Sequence, residues 1–198
     1  MKTIRPKRTT YNSIYFRSTL EARWAVFFDT LGVKYEYEPT WDEVDAGICY
    51  VSYKPDFYLP DLDYWVEVKP VSFGRMKFGD KKKAEGWTRD YDGLLILSGA
   101  PSMPKAGAEY HHYLEWNERK RYFWLHDQMW WCVCPKCGKL DIRGGGGIPS
   151  ECDATCFPGP SYDLLGDETE PAAGHKSPRL SHAYNIARNI VFKPHRIS

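Results

Sequence analysis

No apolar run in this chain approaches the ~20 residues that a membrane-spanning helix needs, and its basic N-terminus lacks the apolar stretch of a secretory signal. A cytosolic compartment is therefore expected. An excess of one charge is missing too: 27 Lys and Arg stand against 26 Asp and Glu, for a formal net charge of +1. Any positive field able to draw in a polyanion must be local. No internal repeat is visible. The six cysteines read poorly as disulfides in a reducing compartment.

What is present suits one domain with an elaboration, or two small ones: 198 residues, 42% hydrophobic and 27% charged. Charge is unevenly spread. Lys2, Arg5, Lys7 and Arg8 make a basic arm, and Arg75, Lys77, Lys81, Lys82, Lys83 and Arg89 a second cluster. Asp163, Asp167, Glu168 and Glu170 offset them in a later Gly/Pro-rich stretch. A lysine cluster is usually a solvated helix face, but this one follows directly on a charged strand.

Ser18 opens a helix that Gly32 closes, and Leu20, Trp24, Phe27, Phe28 and Leu31 recur along it at helical spacing. "VKYEYE" then alternates as a strand does, and "ICYVSYKPDFYL" predicts a second strand, in which Cys49 reads as a small core residue. Pro60, Asp61 and Asp63 turn the chain into a third strand, "YWVEVK", giving a hairpin. Residues 77–91 predict a helix weakened by Gly86, and "LLILS", between Gly93 and Gly99, a buried parallel strand. A right-handed crossover lays it beside the third strand, so an αβββαβ core is complete by about residue 101. Residues 109–131, rich in aromatics, predict helix followed by strand, and "SPRLSHAYNIARNIVF" a final helix with Leu180, Ala183, Ala187 and Ile190 on one face.

The stretch "PDFYLPDLDYWVEVK", residues 55–69, carries the chemistry. A period of two sends Val66 and Val68 to one face and Trp65, Glu67 and Lys69 to the other. Taken alone, the Glu-Val-Lys triplet is explained by an exposed ion pair worth less than ~1 kcal/mol. Asp56 near the end of the neighbouring strand changes that. Two carboxylates on adjacent strands can share a hard divalent cation, with the Val68 carbonyl as a further oxygen ligand, and an adjacent lysine suits phosphate chemistry.

These segments resemble the PD-(D/E)XK nucleases, the superfamily of restriction endonucleases, phage exonucleases and junction resolvases. Asp56, Glu67 and Lys69 match its signature and the element order matches its core, over roughly residues 17–101. The family commonly adds a glutamate from the first helix, where Glu21 stands; Ser18 and Glu21 also spell a capping box, so two roles compete for one carboxylate. The resemblance implies Mg²⁺- or Mn²⁺-dependent phosphodiester hydrolysis. Asp56, Glu67 and Glu21 would serve as metal ligands and Lys69 would act on the attacking water. Arg17 and Lys81 to Lys83 are candidate DNA phosphate contacts.

Cysteines give the second motif. Cys134 and Cys137 form a "CPKCG" knuckle, and Cys152 and Cys156 a second close pair fourteen residues on. Two pairs separated by a loop are what a structural, tetrahedral zinc site requires. Cys132 and His175 are substitute ligands. His111 and His112 have no partner at ligand spacing, and Trp130-Trp131 reads as core.

The expected organisation is a basic arm (1–16), a restriction-endonuclease-like α/β core (17–108), and an aromatic segment, zinc-ribbon-like insertion and C-terminal helix (109–198). Its size and knuckle resemble those of small bacteriophage nucleases, which points to the cytoplasm of a bacterial or phage-infected cell. The leading expectation is a metal-dependent DNA endonuclease. A structure-specific resolvase, which needs a homodimer, and a non-cleaving zinc-ribbon adaptor are the alternatives.

Overall fold

A computed structural model describes residues 7–47, 49–103, 111–134, 137–144 and 177–192. The fold is mixed α/β. β1 (Thr9–Tyr11) and β2 (Ile14–Phe16) form a hairpin. Asn12 and Ser13 at its tip both lie at positive φ, 48° and 64°, as a two-residue type I′ turn requires. α1 (Thr19–Leu31) starts where the Ser18 hydroxyl accepts the Glu21 N–H and stops at Gly32, left-handed at φ 69°.

β3 (Glu36–Tyr37), β4 (Asp42–Asp45), β5 (Tyr50–Tyr53), β6 (Phe57–Leu59) and β7 (Tyr64–Lys69) follow. Next come a short 3₁₀ turn, α2 (Phe78–Asp90), β8 (Leu94–Ser98), β9 (His111–Asn117), β10 (Tyr122–Val133), β11 (Leu140–Gly144) and α3 (Pro178–Asn189). Seven strands make one sheet in the order β11-β10-β9-β8-β7-β6-β3. β7 and β8 run parallel, and the other neighbours in that sheet are antiparallel.

Alternation along β7 and β8 divides the core in two. Val66, Val68, Leu95 and Leu97 pack beneath α1 and α3 with Trp24, Phe27 and Phe28. Leu94 and Ile96 face the other way, toward Trp87 of α2 and Val44 and Tyr53 of the β4–β5 hairpin. Gly86 is the point of closest approach on that side: a Cβ there would stand 2.6 Å from the Asp45 carbonyl oxygen. The residue that weakens α2 as a helix is the one that lets it dock. On the opposite face, Arg23 of α1 donates to the Ala187 carbonyl at 2.7 Å, and Arg179 of α3 donates to the Leu31 carbonyl at 2.5 Å. Each helix thereby satisfies carbonyls at the other's C-terminus.

Four sequence expectations need correcting. "VKYEYE" contributes only the two residues of β3 to the sheet. "ICYVSYKPDFYL" is two strands: β5 pairs with β4 in a separate two-stranded sheet, and β6 joins the main sheet after Pro55, which has no N–H to offer a ladder. Cys49 is exposed rather than core. Within 109–131 there is no helix among the described residues; β9 and β10 form a long hairpin, with the register shifting between His126 and Met129.

Candidate active site

Asp56, Glu67 and Lys69 come together because β6 and β7 pair as neighbours. The Phe57↔Val66 register places Asp56 one residue before the ladder, and its Oδ2 accepts the Val68 N–H at 2.7 Å. Glu67 and Lys69 project from the same face of β7 and form an ion pair. These three residues, with Glu21 and Val68, line one cleft of about 880 Å³. Asp56 and Glu67 are almost wholly buried, with relative exposures of 3% and 4%.

Glu21 lines the cleft while its carboxylate is held by groups around its own helix start. Its Oε1 accepts from the Ser18 hydroxyl at 2.7 Å, and its Oε2 from the Tyr37 hydroxyl at 2.6 Å and the Arg17 N–H at 3.1 Å. Ser18 caps the helix through the Glu21 N–H, but the carboxylate returns to the Ser18 hydroxyl and the Arg17 N–H rather than to the Ser18 N–H of a capping box, and these bonds hold it against the cleft.

The remaining lining was only partly foreseen. Arg17 reaches in from the residue before the N-cap: its Nη2 lies 2.7 Å from Asp56 Oδ1 and its Nε 2.5 Å from Glu38 Oε1. Glu38 has φ 47° and donates its N–H to the Asp56 carbonyl oxygen at 2.9 Å, so a left-handed backbone secures this corner. Lys54, Arg8, Lys83 and Asp80 also line the cleft and were not singled out as a group. Lys54 stands directly before Pro55-Asp56, and Asp80 and Lys83 are three apart on α2 and so share a face; these were the available signals. Of the lysine cluster, only Lys83 faces the cleft. Lys81 donates to the Gly74 carbonyl and Lys82 pairs with Glu85.

Crowding buried acids beside one another shifts their titration. Burial, then the charges of Glu67 and Glu21, push the Asp56 carboxyl well above its usual range, against the pull of the Val68 N–H and Arg17. Burial acts to lower the Lys69 ammonium, but Glu67, backed by Asp56 and Asp80, outweighs it and holds the amine above its ordinary value. The Tyr53 hydroxyl is raised by burial and then by the Glu67 charge. Glu67 Oε2 is itself buried with no hydrogen bond of regular geometry among the described residues.

The donor set fits a hard divalent cation in kind: carboxylate oxygens throughout, one of them buried without a regular hydrogen bond among the described residues. It is not closed around one. Among the described residues, no three Asp, Glu, His or Cys side chains stand near enough to form a ready chelate. The acids are instead held by Arg17, Lys69 and the donors around Glu21. An incoming ion must therefore displace Arg17 from Asp56 Oδ1 to use that oxygen.

Cys134 and Cys137 lie close together just beyond the end of β10. The Cys137 N–H points at Cys134 Sγ at 3.5 Å, the Gly138 N–H donates to the Cys134 carbonyl, and Gly138 is left-handed at φ 74°. Cys152, Cys156 and His175 lie outside the described residues. Cys132 is buried within β10. His111 and His112 are buried in β9: His111 Nδ1 accepts the Ser98 N–H and His112 Nδ1 meets Asp127 at 2.8 Å. Trp130 and Trp131 are buried, as expected of core residues. Among the described residues, no helix is long and apolar enough to cross a membrane.

No family model, curated protein or solved structure matches the chain.

Proposed function

We propose that this chain is a metal-dependent phosphodiester hydrolase. More narrowly, we propose a DNA endonuclease on a PD-(D/E)XK-type core with a zinc-binding elaboration near its C-terminal helix. One observation carries this: Asp56, Glu67, Lys69 and Glu21, distant in sequence, line a single cleft that also holds Arg8, Arg17, Lys54 and Lys83. Acids surrounded by cations suit a substrate that is itself anionic and needs a divalent ion. α1, the β6–β7 hairpin, α2 and the β7–β8 parallel pair support the core assignment, and the Cys134–Cys137 turn supports zinc.

Asp56, Glu67 and Glu21 would hold Mg²⁺ or Mn²⁺. When bound, such an ion polarises a phosphoryl oxygen and lowers the pKa of a coordinated water. The protein's own groups do the rest. Lys69, cationic at neutral pH and tethered by Glu67, orients the attacking water and offsets charge building on the phosphoryl oxygens. Arg17, once released from Asp56, is a bidentate donor for a phosphate, and Arg8, Lys54 and Lys83 seat the flanking phosphates. Val68 N–H and the Glu38 corner fix the Asp56 rotamer.

Purified protein incubated with plasmid, linear and four-way-junction DNA, in Mg²⁺ or in EDTA, tests the proposal. Metal-dependent internal cutting is expected. Junction-selective cutting by a dimer narrows it to a resolvase. Binding without cutting under every metal condition replaces it with an adaptor.

A further inference from the structure

The sheet carries a second surface with a chemistry of its own, at the far end from the cleft. β9 begins beside the C-terminal end of β8 and runs antiparallel past its start, so the β9–β10 turn lies about eight residues, or roughly 27 Å at about 3.4 Å per residue, along the sheet from the level of Lys69. At that turn Arg121 is left-handed at φ 53° and donates its N–H to the Asn117 carbonyl at 2.7 Å. The loop presents Arg119, Lys120 and Arg121, all exposed, against a single acid, Glu118.

Directly behind the basic tip, alternate residues of β10 line up on one face. Tyr122 and Trp124 have ring centroids 6.3 Å apart, and Trp124 and His126 are parallel within 4° at 5.7 Å. Lys120 Nζ lies 5.9 Å from the Tyr122 ring. Tyr122 is 40% and Trp124 45% exposed. Glu115, the acid across from Trp124, is engaged by His126 at 3.4 Å. The other face of the same hairpin is locked: Arg89 of α2 stands 5.4 Å and 5.3 Å from the rings of Trp116 and Phe123. A rigid strand therefore holds a row of aromatic rings out to solvent, with cations at one end. Exposed large rings in a contiguous row mark a contact surface. Rings alone would suit an apolar partner; rings running into an arginine- and lysine-bearing tip suit bases followed by phosphates.

We propose that Tyr122, Trp124 and His126, with Arg119, Lys120 and Arg121, form a binding site for unpaired nucleic acid. The rings stack on splayed bases and the turn neutralises the strand's phosphates. A duplex cannot use the rings, because its bases are already stacked. The site is separate from the cleft, so it stands or falls independently of the cleavage chemistry.

The test is fluorescence anisotropy of a fluorescein-labelled oligo-dT of about 12 nucleotides, against a duplex of equal length, with the full chain in EDTA. Tighter binding of the single strand is expected. Tyr122→Ala with Trp124→Ala should weaken it by roughly 10- to 100-fold, while Trp124→Phe keeps most of the affinity. Arg119→Glu with Arg121→Glu, at two exposed positions of the turn, should weaken binding and flatten its log–log salt dependence by more than one unit. Oligo-dT binding unchanged in both double variants overturns the proposal, as does equal affinity for the duplex. A large fall in melting temperature on removing the two rings, or loss of a self-associated state, also overturns it, because the face is then a packing surface.

Discussion

Arg17 Nη2 stands 2.7 Å from Asp56 Oδ1, so the most buried acid of the candidate site is paired with a side chain that is itself 54% exposed. A guanidinium there competes with any metal for the same oxygen. Arg17→Ala is expected to tighten Mn²⁺ binding several-fold in calorimetry while weakening DNA binding in EDTA. Weaker Mn²⁺ binding would mean that Arg17 positions Asp56 rather than guarding it.

Lys69→Ala should lower cleavage by at least ~10²–10³-fold, the usual cost of losing one preorganised electrostatic donor. DNA affinity and far-UV circular dichroism should barely move. Turnover at the wild-type rate by this variant removes Lys69 from the mechanism.

Asp56→Asn should abolish cutting and yet raise the melting temperature of the metal-free protein at neutral pH. The amide still offers an oxygen to the Val68 N–H, and it relieves the burial and the repulsion from Glu67 and Glu21 that push the acid upward. A lower melting temperature would show that the Arg17 pair outweighs both.

His111 gives a pH dependence. Burial, then the neighbouring His112, lowers its pKa to about 3. In the unfolded chain the imidazole titrates near ~6.5, so between these values the unfolded state binds the extra proton and stability rises with pH. Urea unfolding should therefore show a loss of up to ~1.4 kcal/mol per pH unit below about pH 6 from this residue. His111→Gln should remove that part of the slope. An unchanged slope would assign the acid sensitivity elsewhere.

Protein purified without chelator should carry one zinc per chain by elemental analysis, and Cys137→Ser should lose it. Zinc-free protein of full stability would leave the Cys134–Cys137 turn as an ordinary reverse turn.

The central elements were legible in the sequence because each obeyed one local rule. Ser18 and Gly32 bracket α1, and the two glycines around "LLILS" isolate β8. Period two along "YWVEVK" put Glu67 and Lys69 on one face. The same rule failed in the aromatic segment, where both faces of β9 and β10 carry rings. The register shift between His126 and Met129 also turns the strand over, so Phe123 and Leu125 pack on the α2 side while Met129, Trp131 and Val133 pack on the α1 side. Arg17, Glu38 and Lys54 were not readable as a cluster for a different reason. They lie in three separate loops; Lys54 is close to Asp56 along the chain, but the fold is needed to bring Arg17 and Glu38 to that corner.

The reciprocal arginine links between α1 and α3 also bear on the chain as it is being made. The helix that presents Glu21 rests against one made late in synthesis, and Arg23 finds its carbonyl 164 residues downstream. Until α3 has been made, Trp24, Phe27 and Phe28 lack the cover that Leu180, Ala183, Tyr184 and Ala187 give them. A chain that stops short of α3 therefore leaves the apolar face of α1 uncovered, a sticky surface rather than a finished core.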